Sequence, residues 1–394
     1  MPQNVAYGAY GGYGGSLGVC LDQVRSWLER YIVVIKDQDL DILALWIVHT
    51  WLAGETYTSP RLLIDSPVPG SGKTTLLEHL GKLCQDPIQM ASVSSSALLA
   101  RITASGIRTL LIDEADRSLD PKRDGVKDLV AILNSGYKIG GSRPVLVKGK
   151  GDAWQVEEMP TYSPVAIAGN TPLLPEDTRS RCIAIRLMPD QEGKAEQSDW
   201  EWIEISALDL RDHIQEVSEQ VREQVRTARP ILPDNCRNRN RERWNPLAKI
   251  ASVAGEPWVS KCNQAIQADL DLALEVAENG EASFSPAVQI SHDLYKILGT
   301  QPRFELSTEL VKQLIKDNPD VWSFTSQYGK DLTPKRLGII LNRSFGIYSQ
   351  RQGANARGWH TNQFTLIWQK LGITPGNPPK ATEPPKATKE TSLF

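Results

Sequence analysis

Residues 61–75 read RLLIDSPVPGSGKTT, a short apolar run followed by a glycine-rich turn. The run from Arg61 to Asp65 predicts a buried strand, and the apolar spacing after the turn predicts a helix from Thr74 to Cys84. A glycine-rich turn between a strand and a helix is typical of a P-loop, although Pro67 stands where GxxxxGK[ST] has its first glycine. Because the GSGKTT core is complete, the stretch predicts a phosphate-binding loop on an α/β sheet.

The loop is expected to bind ATP together with Mg²⁺. Glycines let backbone N–H groups turn towards phosphates, and the following helix adds the positive end of its dipole. Lys73 should contact the β- and γ-phosphates, and the Thr74 hydroxyl should be a ligand of Mg²⁺. The predicted nucleotide-binding residues of the loop are Pro69, Gly70, Ser71, Gly72, Lys73, Thr74 and Thr75.

A second apolar run ends in two acids. Residues 109–114 read TLLIDE, which predicts a buried strand with Asp113 and Glu114 at its carboxyl end. Asp113 is expected to bind Mg²⁺, directly or through water, and Glu114 to deprotonate the attacking water as a catalytic base. The alternative is a strand followed by two helix-capping acids. The upstream P-loop favours the catalytic interpretation.

Two later strands carry further candidate catalytic residues. Asn170 follows the apolar run 164–168 and could position the attacking water, or it could simply form a turn. Arg179 and Arg181 precede the apolar run 182–187. An arginine at this point could reach the γ-phosphate of a neighbouring subunit as an arginine finger. The alternative for both arginines is an ordinary surface position.

The composition excludes several classes of protein. The chain has 394 residues, 40% of them hydrophobic, which fits two or three globular domains. A net charge of −3 argues against a nucleic-acid coat protein, so contact with DNA needs a local basic patch. Five scattered cysteines without a CxxC pair predict reduced, buried thiols. No signal-peptide or membrane-spanning pattern is found, so we expect a cytoplasmic protein without a membrane partner.

Residues 144–159 predict a β-hairpin with a basic, glycine-rich tip, placed between the two acids and Asn170. Lys148 and Lys150 could follow the backbone of single-stranded DNA, and Trp154 could stack on a base, in the central channel of a ring. The alternative is a solvated hairpin with ordinary surface lysines.

The C-terminal region is locally basic. Residues 322–370 hold seven Lys or Arg and one acid, Asp331, which gives a local charge of +6. The predicted order is helix 308–316, helix 333–344, a strand–turn–strand over 346–360 and helix 362–371, which is that of a winged helix. Duplex DNA is the expected partner, with protein contacts as the alternative. The predicted contacts are Lys335, Arg336 and Arg343 on the helix, and Arg351 and Arg357 on the wing.

The order of P-loop, Asp-Glu, Asn and Arg resembles that of AAA+ ATPases. The inserted hairpin is similar to the pre-sensor hairpin of superfamily III viral helicases. Further stretches resemble a family of phage and mobile-element ATPases that often follow primase domains: 133–137 with 140–141, 181–185, Arg239 with 244–251, and 255–258. The resemblance covers roughly residues 25–370. It implies a DNA-dependent ATPase or helicase that forms a homo-oligomer, expected to be a hexameric ring, with any primase on a separate protein.

The same resemblance assigns two arginines. Arg181 matches the family arginine better than Arg179 does. Arg239 falls where an arginine of a helical lid could sense the γ-phosphate, although Arg237, Arg241 and Arg243 are close alternatives.

The expected fold class is α/β, with an AAA+ parallel-sheet P-loop core. Short continuous apolar strands that alternate with helices predict a parallel sheet covered on both faces. The predicted domains are a flexible Gly/Tyr-rich tail (1–20), N-terminal helices (21–60), the P-loop AAA+ ATPase core (61–189), a helical lid (190–283), a winged-helix DNA-binding domain (284–373) and a disordered tail (374–394).

These features favour an ATP-dependent DNA helicase or translocase in phage or mobile-element DNA replication. A helicase loader or initiator, which uses ATP as a switch, is the first alternative. An ATP-gated regulator that binds DNA without hydrolysis is the second, and Glu114 argues against it. A small-molecule kinase ranks last because the hairpin, Asn170 and a trans-acting arginine have no role in one.

Overall fold

The computed structural model describes residues 16–66, 68–91, 96–120, 123, 125–148, 154–278, 286–299, 301–323, 331–353, 356–371 and 373. The chain divides into two compact units between Asp271 and Leu272. Among the described parts of the sequence, no helix has both the length and the apolarity needed to cross a bilayer.

The first unit is built on a five-stranded parallel sheet with the order β2-β3-β6-β1-β7. The strand that precedes the glycine-rich loop, β1, is therefore flanked by β6 and β7, and β6 separates it from β3. Since the strands are parallel, their carboxyl ends share one edge of the sheet. The strands are β1 (Arg61–Asp65), β2 (Pro87–Met90), β3 (Thr109–Ile112), β6 (Val165–Gly169) and β7 (Cys182–Arg186).

Helices cover both faces of this sheet. Alternate residues of one strand point to opposite faces, so Leu62 and Ile64 join one hydrophobic core while Leu63 joins the other. The mixed α/β class and the parallel sheet predicted from the sequence are thereby confirmed. The helices of the unit are α1 (Leu17–Tyr31), α2 (Gln38–Trp51), α3 (Lys73–Leu83), α4 (Ser96–Ala104), α5 (Ala115–Ser118), α6 (Val126–Ser135), α7 (Glu176–Arg179), α8 (Trp200–Thr227) and α9 (Asn238–Ala254), and α10 (Trp258–Glu278) continues beyond the division.

The first helix begins earlier than the sequence prediction of a tail over residues 1–20. It starts at Leu17, because Leu17 and Cys20 continue the apolar spacing of Leu21 and Val24 and are buried in the same core. Residues 1–15 and 374–394, where flexible or disordered tails were predicted, lie outside the described residues.

Two antiparallel strands stand apart from the main sheet. The strands β4 (Ser142–Lys148) and β5 (Trp154–Pro160) pair from Ser142 with Pro160 to Lys148 with Trp154. The predicted hairpin arms are thus confirmed, and the tip, residues 149–153, lies outside the described part of the chain.

The second unit packs helices against a small sheet with the strand order β8-β10-β9. Strand β10 pairs antiparallel with both neighbours. Trp322, Trp359 and Phe364 are buried in the core of this unit. Its elements are α11 (Pro286–Leu298), β8 (Phe304–Leu306), α12 (Ser307–Asp317), α13 (Pro319–Trp322), α14 (Pro334–Phe345), β9 (Gln350–Gln352), β10 (Ala356–His360) and α15 (Asn362–Lys370).

Candidate nucleotide site

The glycine-rich loop turns at two glycines with left-handed backbones. Gly70 and Gly72 have φ of 72° and 83°, a conformation that a side chain disfavours, and α3 begins directly after Gly72. The Lys73 ammonium lies over the loop, where it donates to Ser71 Oγ at 2.9 Å and to the Val68 carbonyl at 3.3 Å. The loop therefore presents backbone N–H groups, a helix N-terminus and one cation to the same space. Pro67 lies outside the described residues.

Burial lowers the pKa of Lys73, and the nearby carboxylates of Asp65, Asp113 and Asp116 oppose that shift. The net result is a partly desolvated ammonium that faces three acids. Such a cation gains most when an anion with several oxygens approaches it.

The loop and the acids of β3 meet at Thr74 and Asp113. Thr74 Oγ1 lies 3.4 Å from Asp113 Oδ2, while Asp113 Oδ1 accepts a hydrogen bond from the Glu114 N–H at 2.8 Å. One hydroxyl and one carboxylate form a small oxygen donor set, and no group of three or more His, Cys, Asp or Glu suited to a metal occurs among the described residues. Mg²⁺ with phosphates fits this set, because Mg²⁺ commonly takes one or two protein oxygens and completes its shell with phosphate and water.

Glu114 stands in an unusual backbone conformation. Its φ is 48°, in the left-handed region, and it is the residue that caps α5. The carboxylate is half exposed and pairs with Arg117 at 3.2 Å. An exposed pair of this kind is weak, so the carboxylate can leave it for another partner at small cost.

Asn170 is placed by an acid that sequence reasoning missed. The backbone N–H of Asn170 donates to Asp116 Oδ1 at 3.0 Å. Asp65, also missed, accepts from the Thr171 N–H at 2.9 Å, and Thr171 is itself left-handed with φ of 47°. The available signal was that Asp65 ends one buried parallel strand and Asp116 lies four residues beyond the end of another, since the carboxyl ends of such strands meet.

A cavity of about 840 Å³ opens at this edge of the sheet. It is lined by the predicted loop residues Pro69 to Thr75 and by Asp113, Glu114 and Asn170. Two further stretches complete its wall: Tyr31 to Val33 at the end of α1, and residues between Met188 and Ser198 before α8. Neither stretch carries a local motif, so their contribution to the cavity could not be predicted.

Arg181 and Arg239 are not among the residues that line this cavity. Both guanidinium groups lie over the ring of Tyr137, 5.7 Å and 5.6 Å from its centroid. Arg179, the alternative to Arg181, donates to the Pro172 carbonyl at 3.0 Å. The structure therefore brings the P-loop, the two acids and Asn170 together, and holds Arg181 and Arg239 as a separate group.

The hairpin residues are only partly described. Trp154 is 64% exposed at the start of β5, opposite Lys148 at the end of β4. Nothing is described of the Lys148 side chain, and Lys150 lies outside the described residues. Leu146 and Val156 form a cross-strand pair and are exposed as well. The described arms thus present an apolar face beside the predicted basic tip.

The basic residues predicted to contact duplex DNA gather on the second unit. A cavity of about 570 Å³ is lined by Lys335, Arg343 and Arg357 together with Ser307 and Tyr348. Within the described residues, no ion pair to a carboxylate is found for Lys335, Arg343 or Arg357. Arg351 is exposed on β9, whereas Arg336 is half buried and donates to the Asp331 carbonyl at 3.4 Å.

All five cysteines are free and buried, as the sequence predicted. Burial raises the pKa of the Cys20 thiol to about 12.

Comparison with known proteins gave one family and several structures. Residues 193–371 match the family described as "Protein of unknown function (DUF3631)", which is less than half of the chain. No match was found among curated proteins. Structures with some likeness include the JCV helicase, with 14% identity, a TM-score of 0.30 and coverage of 73% of this chain and 67% of that one. The Thermotoga maritima RuvB Holliday junction branch migration motor has 13% identity, a TM-score of 0.27 and coverage of 88% and 99%. The NrS-1 C-terminal region has 12% identity, a TM-score of 0.37 and coverage of 87% and 74%.

Proposed function

We propose that this protein is a Mg²⁺-dependent ATP hydrolase that works on DNA. One observation carries the proposal: Lys73, Thr74, Asp113, Glu114 and Asn170 come from three loops and line a single cavity. These are the cation, the metal ligands, the base and the amide that hydrolysis of a phosphoanhydride requires.

Each side chain has a role that its position supports. Lys73 neutralises the β- and γ-phosphates, while Gly70 and Gly72 turn backbone N–H groups towards them. Thr74 and Asp113 hold Mg²⁺, which when bound neutralises charge on the phosphate oxygens and fixes their orientation. Glu114 leaves Arg117 to accept a proton from the attacking water. Asn170 orients that water, and Asp116 fixes the backbone of Asn170.

DNA is the proposed partner of two regions. The β4–β5 hairpin would contact single-stranded DNA through Trp154, Lys148 and Lys150, because an aromatic ring beside cations suits unpaired bases. In the second unit, the element order of one helix, one strand, three helices, two strands and a closing helix supports a winged helix. Its basic side chains would contact the phosphates of duplex DNA.

The domain arrangement that follows is a proposal too. Residues 61–189 would be the AAA+ core, the helices within 190–283 its lid, and residues 284–373 the winged helix. Copies of the chain would form a ring, expected to be a hexamer, in which Arg181 completes the site of the adjacent copy. The protein would then act as a helicase or translocase in phage or mobile-element replication, beside a separate primase.

The test is steady-state ATP hydrolysis by the wild type and by Glu114→Gln, each with and without single-stranded DNA. We expect DNA to stimulate the wild type, and Glu114→Gln to lose about 10²-fold or more in rate while it still binds ATP. Glu219→Gln, an exposed acid on α8, is the matched control and should behave as wild type.

Other outcomes decide between functions. If single-stranded DNA does not change the rate of ATP hydrolysis, the proposed role of the hairpin is wrong and a protein partner is indicated. Slow turnover with one tight DNA site would favour the loader or initiator. The absence of hydrolysis in the wild type would overturn the ATPase and leave an ATP-gated regulator.

A further inference from the structure

Three arginines lie around one aromatic ring at the edge of the sheet formed by the amino ends of the strands, opposite the nucleotide cavity. Tyr137 follows α6, is fully buried, and has the guanidinium carbons of Arg61, Arg181 and Arg239 at 5.9, 5.7 and 5.6 Å from its centroid. Within the described residues its hydroxyl has no hydrogen-bond partner. The ring itself, through cation–π attraction, is therefore what Tyr137 offers to the arginines.

The three arginines differ in what else they do. Arg61 is 1% exposed and donates to the carbonyls of Leu133 and Ser163, so it is part of the interior. The side chains of Arg181 and Arg239 remain 16% and 38% exposed. The side chains of Arg181 and Arg239 can therefore contact a group outside this copy of the protein, whereas that of Arg61 cannot.

Arg181 and Arg239 lie too far from the nucleotide site of their own copy to contact a nucleotide bound there. The backbone N–H of Arg61, the first residue of β1, donates to the Arg181 carbonyl at 3.0 Å, which fixes Arg181 at the amino end of that strand. The glycine-rich loop follows the opposite end of β1, about 13 Å further along the strand at 3.3 Å per residue. Neither arginine lines the cavity that contains Lys73.

This inference rests on the proposed ATPase function. We infer that Tyr137 is a positioning residue that holds Arg181 and Arg239 as a pair, and that both act on the phosphates of the nucleotide bound by a neighbouring copy. Two guanidinium groups on one rigid ring suit an anion with several oxygens, because each presents a planar set of donors. Arg239 is thereby assigned to the adjacent site instead of to its own. In a single copy Arg239 also pairs with Glu242 at 2.6 Å, and it can leave this partly exposed pair at small cost.

The test is complementation between defective copies. Lys73→Ala loses its own site but keeps its arginines, whereas Arg239→Ala keeps its site. Each alone should lose about 10²-fold in ATP hydrolysis. An equal mixture of the two, made by co-expression, should regain about a quarter of wild-type activity, since one head-to-tail interface in four joins an intact site to intact arginines. Arg239→Ala should bind ATP as the wild type does.

Tyr137 is tested in the same way. Tyr137→Phe keeps the aromatic face and should retain activity, because the hydroxyl has no partner among the described residues. Tyr137→Leu should lose activity alone and regain it with Lys73→Ala. A variant that fails to fold would regain no activity in the mixture and would not bind ATP. If Tyr137→Leu behaves in this way and Tyr137→Phe also loses activity, the positioning role of Tyr137 is wrong.

A third mixture separates this inference from the proposed function. Lys73→Ala with Arg181→Ala should also regain activity. If that pair is rescued but the Arg239→Ala pair is not, the assignment of Arg239 is wrong and the arginine-finger ATPase stands. If wild type hydrolyses ATP and neither pair is rescued, both arginines lose their role towards the neighbouring copy. If wild type has no activity, the proposed function fails and the inference fails with it.

Discussion

The hydroxyl of Thr74 lies 3.4 Å from a carboxylate oxygen of Asp113, although the two residues belong to different loops, 39 positions apart. Thr74 lies in the first turn of α3 after the glycine-rich turn, and Asp113 follows β3, which is two strands away from β1 in the sheet. The parallel sheet brings them together because it places both carboxyl ends at one edge. Their separation is close enough for both oxygens to bind one ion in a shared shell.

Asp113→Asn should therefore reduce Mg²⁺-dependent ATP hydrolysis by about 10²-fold, since an amide replaces a charged ligand. Binding of ATP in EDTA should change little, because Lys73 and the loop remain. Hydrolysis across a Mg²⁺ titration and nucleotide binding without metal measure the two effects. Asp128→Asn, a surface acid paired with Arg143 at 3.2 Å, is the control. Equal Mg²⁺ dependence in Asp113→Asn and wild type would contradict this assignment.

Gly136→Ala should destabilise the first unit by about 2 kcal/mol or more. A Cβ at Gly136 would lie 2.1 Å from the Thr161 carbonyl oxygen, which is backbone and cannot swing away. The φ of Gly136 is −70°, so the cost is steric and not conformational. Gly54→Ala is a matched control, because its Cβ would meet only Ile107 Cδ1 at 3.8 Å. Urea unfolding of both variants checks this, and similar midpoints would refute the close approach.

Stability should fall as pH drops below about 6.5, in part through His79. Burial lowers the pKa of His79 to about 4, and its Nδ1 accepts from the Trp27 indole at 3.1 Å. Between those pH values the unfolded chain binds a proton that the folded chain rejects. The contribution of His79 to the free energy of unfolding is therefore fully present above about pH 6.5. It is lost as the pH falls towards 4, by up to about 1.4 kcal/mol per pH unit. Urea unfolding at several pH values from 7.5 to 5 gives the slope of unfolding free energy against pH, which should be smaller in His79→Gln than in the wild type. An unchanged slope would exclude His79 as the source of the pH dependence.

The sequence allowed much of this sheet to be predicted, and the failures have a physical reason. Strands β1, β3 and β6 are nearly continuous apolar runs because helices cover both of their faces. Strand β7 lies at an edge and is exposed at Ala184, but its residues Cys182 to Ile185 still form an apolar run. Strand β2 was missed. It lies at the edge of the sheet, begins with a proline and is only half buried, so it lacks such a run.

The candidate site divides in the same way. Lys73, Thr74, Asp113 and Glu114 belong to motifs that are local in sequence, so they could be found without a structure. Asp116 and the wall made by residues 31–33 and 188–198 are brought to the cavity only by packing. Arg239 illustrates the limit. The sequence predicts that Arg239 senses the γ-phosphate, and no local motif indicates that its guanidinium lies over Tyr137.

The exposed cations of the second unit should set the salt dependence of DNA binding. Lys335 and Arg343 lie eight positions apart on α14 and therefore share one face of that helix, and Arg357 lines the same cavity. Each phosphate contact releases counterions, so the slope of log K against log salt should decrease by about 0.9 for each cation that is removed. Lys335→Ala, Arg343→Ala and Arg357→Ala should each weaken binding to duplexes of any sequence.

Lys312→Ala provides the matched control, because Lys312 is exposed on α12 but pairs with Glu309 at 2.9 Å. Binding is measured by fluorescence anisotropy of a labelled duplex at several salt concentrations. The slope of log K against log salt for Lys312→Ala should equal that of the wild type, while the slope for the triple variant should be smaller by nearly three. If the triple variant and Lys312→Ala have the same slope, the cavity on α14 does not face phosphates. Protein contact would then be the function of this face of the second unit, since a phosphate-binding face cannot lose three cations without releasing fewer ions.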